Sequence, residues 1–452
     1  MSHLSFSGCK VIQAERVHEF IECACSLHCA SADSNGQNFQ RRAEAMLRDH
    51  PELATANLIT ACLSGEARLV GEMLDSEPAL ANQRFEPRGW PPLLYLCFSR
   101  FLRKPTNPQR EQNLLDCAQL LLGQGADPNA FFMLGDEKET ALYGAVGVCN
   151  HPELAESLLK HGALVDDPDG SYHVAEFEDT RCVRVLFERG MNAEHRATVL
   201  LRKLDFEDPR GMKEILSYGA DANARGIWGK SPLQQAILRG RSLEIIQTLL
   251  ESGAEPNSQP YQGKSTYFLA CQSGRQDVLS LLEAHGCKTD LPPEQAVVAA
   301  LLRGELESAI QLAKQAGRTA QDLAAEDSNV IVAAAQAGNM NGVRALLEFG
   351  FPANAQDEQG FSALHWAAWY GHLELTDLLV QKGAPLELEN NYGGTVIDSL
   401  VWGCVHSNGN RGQLSAVLKL LVDAGADPSK ISPWPTGDDE IDLIVRSLTR
   451  LD

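Results

Sequence analysis

The sequence predicts an all-α protein, a solenoid of stacked helix pairs with short β-turn fingers and helical caps at both ends. Two observations carry the prediction. A helix ending of the form L-L…G returns along the chain at intervals near 33 residues, as in "LLEFG" and "LLVQKG", whose Gly350 and Gly383 stand 33 apart. Each such ending is preceded by a short stretch of small residues, such as Ala367-Ala368, that suits a closely packed partner helix. No pair of this kind buries its apolar face alone, so the units must stack.

Taken in order, residues 1–56 are expected to form N-terminal capping helices, one of them from about Gln13 to Leu27, followed by the polar loop "ASADSNGQN". The phrases "AMLRDHPELA" from Ala45 and "EMLDSEPALA" from Glu72 are near-copies 27 residues apart and bring the array toward the N-terminus. Residues 57–429 are the array itself. Its helix endings close at Gly125, Gly162, Gly190, Gly219, Gly253, Gly286, Gly350, Gly383 and Gly425. Each glycine is read as the residue just past a helix, where positive φ is needed, and the Asp, Asn and Pro that follow make a turn. Spacing is irregular over about 165–220 and 291–325, where the turn signature fades and only the pairing persists. Residues 430–452 close the array with a helix that puts Ile441, Ile444, Leu448 and Leu451 on one face.

"GFSALHWAAWYGHLELTDLLVQKGAPLE" resembles the ankyrin repeat along its whole length, matching G-x-T-P-L-H-x-A-A-x-x-G-H and the LL…GA ending. "GKSPLQQAILRGRSLEIIQTLLESGAEPN" is a second good match and "KETALYGAVGVCNHPELAESLLKHGA" a third. About eleven units are counted, several degenerate. The resemblance implies a concave groove lined by the first helix of each unit, with turns projecting as fingers. On that geometry Trp366, Trp369 and Tyr370 face the groove, while Leu364, Ala367 and Ala368 pack. Further groove positions are Thr60, Leu63, Tyr95, Phe98, Gln235, Arg239 and Trp402, with His406 in the loop after it. The fingers add Trp90, Trp228, Tyr261 and Tyr392. Aromatic side chains with a polar edge bury large area at small rotamer cost and make favoured contacts; the alternative is that they pack between repeats. Two enlarged loops, 99–113 and 405–413, are candidate functional insertions or tolerated ones, the first locally basic through Arg100, Arg103, Lys104 and Arg110.

Composition narrows the function. The chain has 452 residues and a formal charge of −21. Nucleic acid is an unfavourable partner for such a chain, since phosphate binding collects Lys and Arg; a basic protein or peptide, or a neutral small ligand, is permitted. No stretch of about 20 apolar residues suggests a membrane span. The twelve cysteines are scattered without zinc-finger spacing, which suits a reducing, cytoplasmic setting. "IECACSLHCA" gathers Cys23, Cys25, His28 and Cys29, but four tetrahedral ligands on one helix are geometrically implausible. "WGKS" and "YQGKST" lack the upstream glycine of a phosphate-binding loop.

No cofactor or metal is therefore expected. The one acid–base constellation is His173, Glu176, Arg202 and Asp205, in the irregular middle units. A spacing of three places His173 and Glu176 on one helical face, either for proton transfer or as a solvated ion-pair group. The favoured reading is a recognition scaffold for a protein or peptide. The alternative is a groove adapted to bind or convert a small molecule through those ionisable residues.

Overall fold

The computed structural model describes residues 14–27, 36–103, 105–226, 229–406 and 411–449. Trp228, His28, Cys29, Lys104 and Leu451 lie outside them. The described residues are mostly helical and fall into two compact units, within 1–232 and 233–452.

In the first unit the described residues begin with helix Ala14–Ala24, which buries Val17, Phe20, Ile21 and Cys23. Its C-terminal carbonyls are capped from far along the chain. The Arg100 guanidinium donates to the carbonyls of Glu22 (3.2 Å), Cys23 (3.3 Å) and Cys25. A cation at a helix C-terminus also meets the negative end of the helix dipole. Arg110 lies over the Phe101 ring at 5.0 Å, so loop 99–113 spends two of its arginines on internal contacts rather than on a free basic patch. Helices Leu58–Ser64 and Pro108–Gly123 begin at Asn57 and Asn107, whose side chains accept from backbone N–H groups of the first turn. One finger becomes a true hairpin, β1 (Phe131–Leu134) paired antiparallel with β2 (Glu137–Thr140), Phe132 opposite Glu139.

The second unit repeats the helix pair with greater regularity. Helices Thr266–Ser273 and Gln276–Ala284, Pro293–Leu302 and Leu306–Ala316, Asn329–Gln336 and Met340–Phe349, Ala363–Trp369 and Leu373–Gln381, and Val396–His406 and Leu414–Asp423 follow in sequence. Helix Asp439–Thr449 packs on the last pair, burying Ile441 and Val445. Val445 rather than Leu448 is central to that face. Buried Asn339, the N-cap of helix Met340–Phe349, ties that helix start to two preceding first helices, its Nδ2 donating to Leu302 O (2.8 Å), Gln272 O (3.2 Å) and Cys271 O (3.3 Å).

All nine closing glycines have positive φ, from 76° at Gly286 to 115° at Gly350. The Asn of the following turn does more than turn the chain. Asn257 Nδ2 donates to Gly286 O (2.9 Å) and its Oδ1 accepts from Lys288 N (2.7 Å), so one unit's turn clamps the next unit's helix end. Asn82 makes the same pair with Gly125 and Asp127, and Asn129 with Gly162 and Leu164. A carbonyl left over at a helix C-terminus and an orphan N–H are thereby satisfied together.

Candidate binding site

The second unit holds the aromatic group. Ser362 starts helix Ala363–Trp369 with a reciprocal cap: its N–H donates to His365 Nδ1 (3.1 Å) and its Oγ accepts from His365 N. His365 Nε2 donates to Gly394 O across the repeat (3.3 Å). Burial lowers the His365 pKa below its ordinary value, in keeping with a neutral ring that accepts at Nδ1 and donates at Nε2. This cap sets the helix rotation, so Leu364, Ala367 and Ala368 are buried while Trp366, Trp369 and Tyr370 are half-exposed.

Those three rings form a cluster with Phe361. Phe361 lies against Trp366 with centroids 4.8 Å apart, Trp366 against Tyr370 at 5.9 Å, and Trp369 stands 5.8 Å from Trp366. The Trp366 indole N–H donates to Asp357 Oδ2 at 2.9 Å. On the next helix Trp402 is 40% exposed and sits 3.7 Å from the His406 ring. Trp369 and Trp402 share a cleft of about 430 Å³ with Phe361, Tyr392, Asp398, Ser399 and Lys430. Tyr392, at the finger tip, is 79% exposed. The close approach of the two helices is made by Gly403, where an added Cβ would stand 2.4 Å from Trp369 O.

Other expected contact residues are placed differently. Tyr95 and Phe98 are fully buried and Trp90 nearly so. The cause is the hairpin: Phe132 of β1 stacks on Trp90 at 4.2 Å and meets Phe98 at 5.2 Å, covering the face that the aligned repeats leave open. Thr60 and Leu63 are interior as well. Gln235 is buried too, whereas Arg239 is exposed. Tyr261 is half-exposed in a β-turn closed by paired backbone bonds with Lys264, which explains the "YQGK" phrase without a phosphate.

The first unit joins the four ionisable candidates into one chain. His173 Nδ1 is 2.9 Å from Glu176 Oε1. Arg202 donates to the same oxygen (2.9 Å) and to Asp205 Oδ2 (2.7 Å). The Arg202 guanidinium also lies 4.3 Å from the Tyr172 ring centroid. Burial works against the Arg202 charge, and Glu176 and Asp205 overcome it, holding its pKa above the usual range. Glu176 is thus committed to a guanidinium as well as to the histidine. Cys23 and Cys25 are buried, and no group of three His, Cys, Asp or Glu able to hold a metal occurs among the described residues.

Sequence reasoning missed Phe361, Asp398 and Ser399 in the cleft. A signal was present at Asp398, an ionisable residue inside the apolar run "TVIDSLVW".

A sequence model described as "Ankyrin repeats (3 copies)" matches residues 203–292 and 296–390. The ankyrin repeat protein nuc-2 of Neurospora crassa is 34% identical over 158 residues, 33% of this chain and 14% of the relative. The nuclear factor NF-kappa-B p105 subunit of Gallus gallus is 26% identical over 259 residues, 57% of this chain and 22% of the relative. The chain therefore spans less than a quarter of either relative. Among solved structures, the human ASB11 ankyrin repeat domain aligns with 50% of this chain and 96% of its own at 23% identity, with a TM-score of 0.23. The matched stretches, residues 203–292 and 296–390, and the capped helix pairs that carry them are ankyrin repeats.

Proposed function

We propose that the protein is a recognition scaffold, holding a protein or peptide partner of basic character against the aromatic face between Phe361 and Trp402. The observation that carries the reading is the exposure of Trp402 and Tyr392 around a cleft whose backbone is held by buried caps. Rings fixed by a rigid helix lose little freedom on contact, which is what makes aromatic anchors effective. The relatives named above are an ankyrin repeat protein and a nuclear factor subunit, which agrees with a binding role. The reading needs no cofactor and no nucleic acid, and it places the chain in a reducing, cytoplasmic setting, supported by ten buried free thiols. Trp369→Ala with Trp402→Ala is expected to weaken partner capture by about 2–4 kcal/mol. A folded double variant that captures the same partners equally well sinks the reading.

One observation favours a second reading, a small-molecule or catalytic site in the first unit: His173, Glu176, Arg202 and Asp205 are within hydrogen-bonding reach of one another in series. His173→Ala and Asp205→Asn would then change a metabolite's thermal stabilisation of the protein. A broad screen in which wild type and both variants respond alike disposes of it.

A further inference from the structure

The cleft between Trp369 and Trp402 is lined by aromatic rings together with one carboxylate, Asp398, and one ammonium, Lys430. The rings of Phe361, Trp369, Tyr392 and Trp402 line it, and Asp398, Ser399, Asn390 and Ser432 are the polar residues beside them. Asp398 Oδ1 already accepts from Ser432 N at 2.8 Å, which leaves one carboxylate oxygen for another group. Ser399 is 2% exposed, and its Oγ has no hydrogen-bond partner. A buried hydroxyl without a partner costs free energy that a ligand donor can recover. Lys430, also on the wall, directs its ammonium toward Glu389, 3.6 Å away.

The surroundings favour a cation. From Gln356 to His406 the chain carries seven carboxylates (Asp357, Glu358, Glu374, Asp377, Glu387, Glu389 and Asp398) against one cationic side chain, Lys382, and Lys430 on the cleft wall is paired with Glu389. Burial raises the Asp398 carboxyl above its ordinary range, and an arriving positive charge opposes that shift. Aromatic faces attract an ammonium further, most of all when water is excluded. A guanidinium fork would have to share Asp398 Oδ1 with the Ser432 N–H, which makes a parallel pair a poorer arrangement there than single contacts. A compact ammonium needs only single acceptors, and one Asp398 oxygen and the Ser399 hydroxyl supply two.

We propose that this cleft receives the ammonium group of a lysine side chain presented by the partner polypeptide, its N–H groups donating to Asp398 and Ser399 and its stem lying between Trp369 and Trp402. This rests on the scaffold reading and specifies the chemistry of its anchor.

The test uses the full chain, isotopically labelled, with the indole N–H resonances of Trp369 and Trp402 followed by NMR. The probes are the capped peptide Gly-Gly-Lys-Gly-Gly and its acetyl-lysine and arginine counterparts. The lysine peptide is expected to shift both indoles and to bind at least about tenfold more tightly than the acetylated one, since acetylation removes the charge and two N–H donors. Asp398→Asn, which keeps an oxygen for Ser432 N–H, should erase that preference. Four results overturn the proposal: no shift of either indole by the lysine peptide, equal binding of the acetylated peptide, arginine binding as tightly as lysine, or a preference that survives Asp398→Asn. If partner capture still depends on Trp369 and Trp402 while the lysine preference is absent, the scaffold reading stands and the ammonium site falls.

Discussion

Gly403→Ala should destabilise the second unit, although helix propensity alone predicts the reverse. Gly403 lies inside helix Val396–His406, where alanine is favoured over glycine by about 1 kcal/mol. Its added Cβ, however, would stand 2.4 Å from Trp369 O and 3.1 Å from Trp369 C and Cα. Those are backbone atoms of the facing helix, so no rotamer change relieves the contact. Reaching ordinary contact near 3.4 Å requires the helices to part by about 1 Å, a forced overpacking worth roughly 2–3 kcal/mol. The net expectation is a loss of about 1–2 kcal/mol, or roughly 3–6 °C in the melting of a unit this size. The same parting separates Trp402 from Trp369, so tryptophan emission should shift to the red. Gly71→Ala is the control: it also lies in a helix, Ala67–Ser76, but its Cβ would meet only Leu120 at 3.8 Å. That variant should be more stable by about 0.5–1 kcal/mol. Urea titration followed by circular dichroism and fluorescence reads both. A Gly403→Ala protein as stable as Gly71→Ala would refute the close-packing argument.

Three further outcomes are expected. Asn257→Ala removes both clamp bonds to the next unit and should cost about 1–2 kcal/mol; a change below 0.3 kcal/mol, about the scatter of such measurements, would show the clamp to be ornamental. The lowered His365 pKa means the unfolded chain binds its proton first, so stability falls as pH drops below about 6.5 toward the folded value. The decline should be shallower in His365→Gln, and parallel melting curves between pH 5 and 7.5 would contradict it. Finally, burial pushes the Cys25, Cys117 and Cys149 thiols up to about 12. A thiol reagent at pH 8 should rapidly modify at most Cys9 and Cys29, which lie outside the described residues, and the remaining ten only on unfolding.

The repeat was readable because its signals are local. The glycines that end helices declare themselves through positive φ, and Ser362 with His365 caps a helix three residues away. The same logic separated Leu364, Ala367 and Ala368 from Trp366, Trp369 and Tyr370. Burial that comes from elsewhere in the chain was invisible to it. Tyr95 and Phe98 occupy positions that a regular repeat exposes, yet Phe132, more than 30 residues onward, packs on Phe98 and on Trp90, which in turn lies against Tyr95. Arg100 reads as loop charge until its carbonyl partners at Glu22 and Cys23 are known. The cleft likewise combines Phe361 and Trp369 with Asp398 and Ser432, a set no single repeat motif contains.

The central claim is that the face around Trp369 and Trp402 is the recognition surface. It is tested most directly by quantitative affinity capture from native extract, comparing the wild-type chain with Trp369→Ala/Trp402→Ala and with exposed-surface control Leu443→Ala on the terminal helix. The account predicts a discrete set of proteins retained by wild type and by the Leu443 control and lost from the double variant, with all three equally folded by circular dichroism. Equal retention by all three would contradict it.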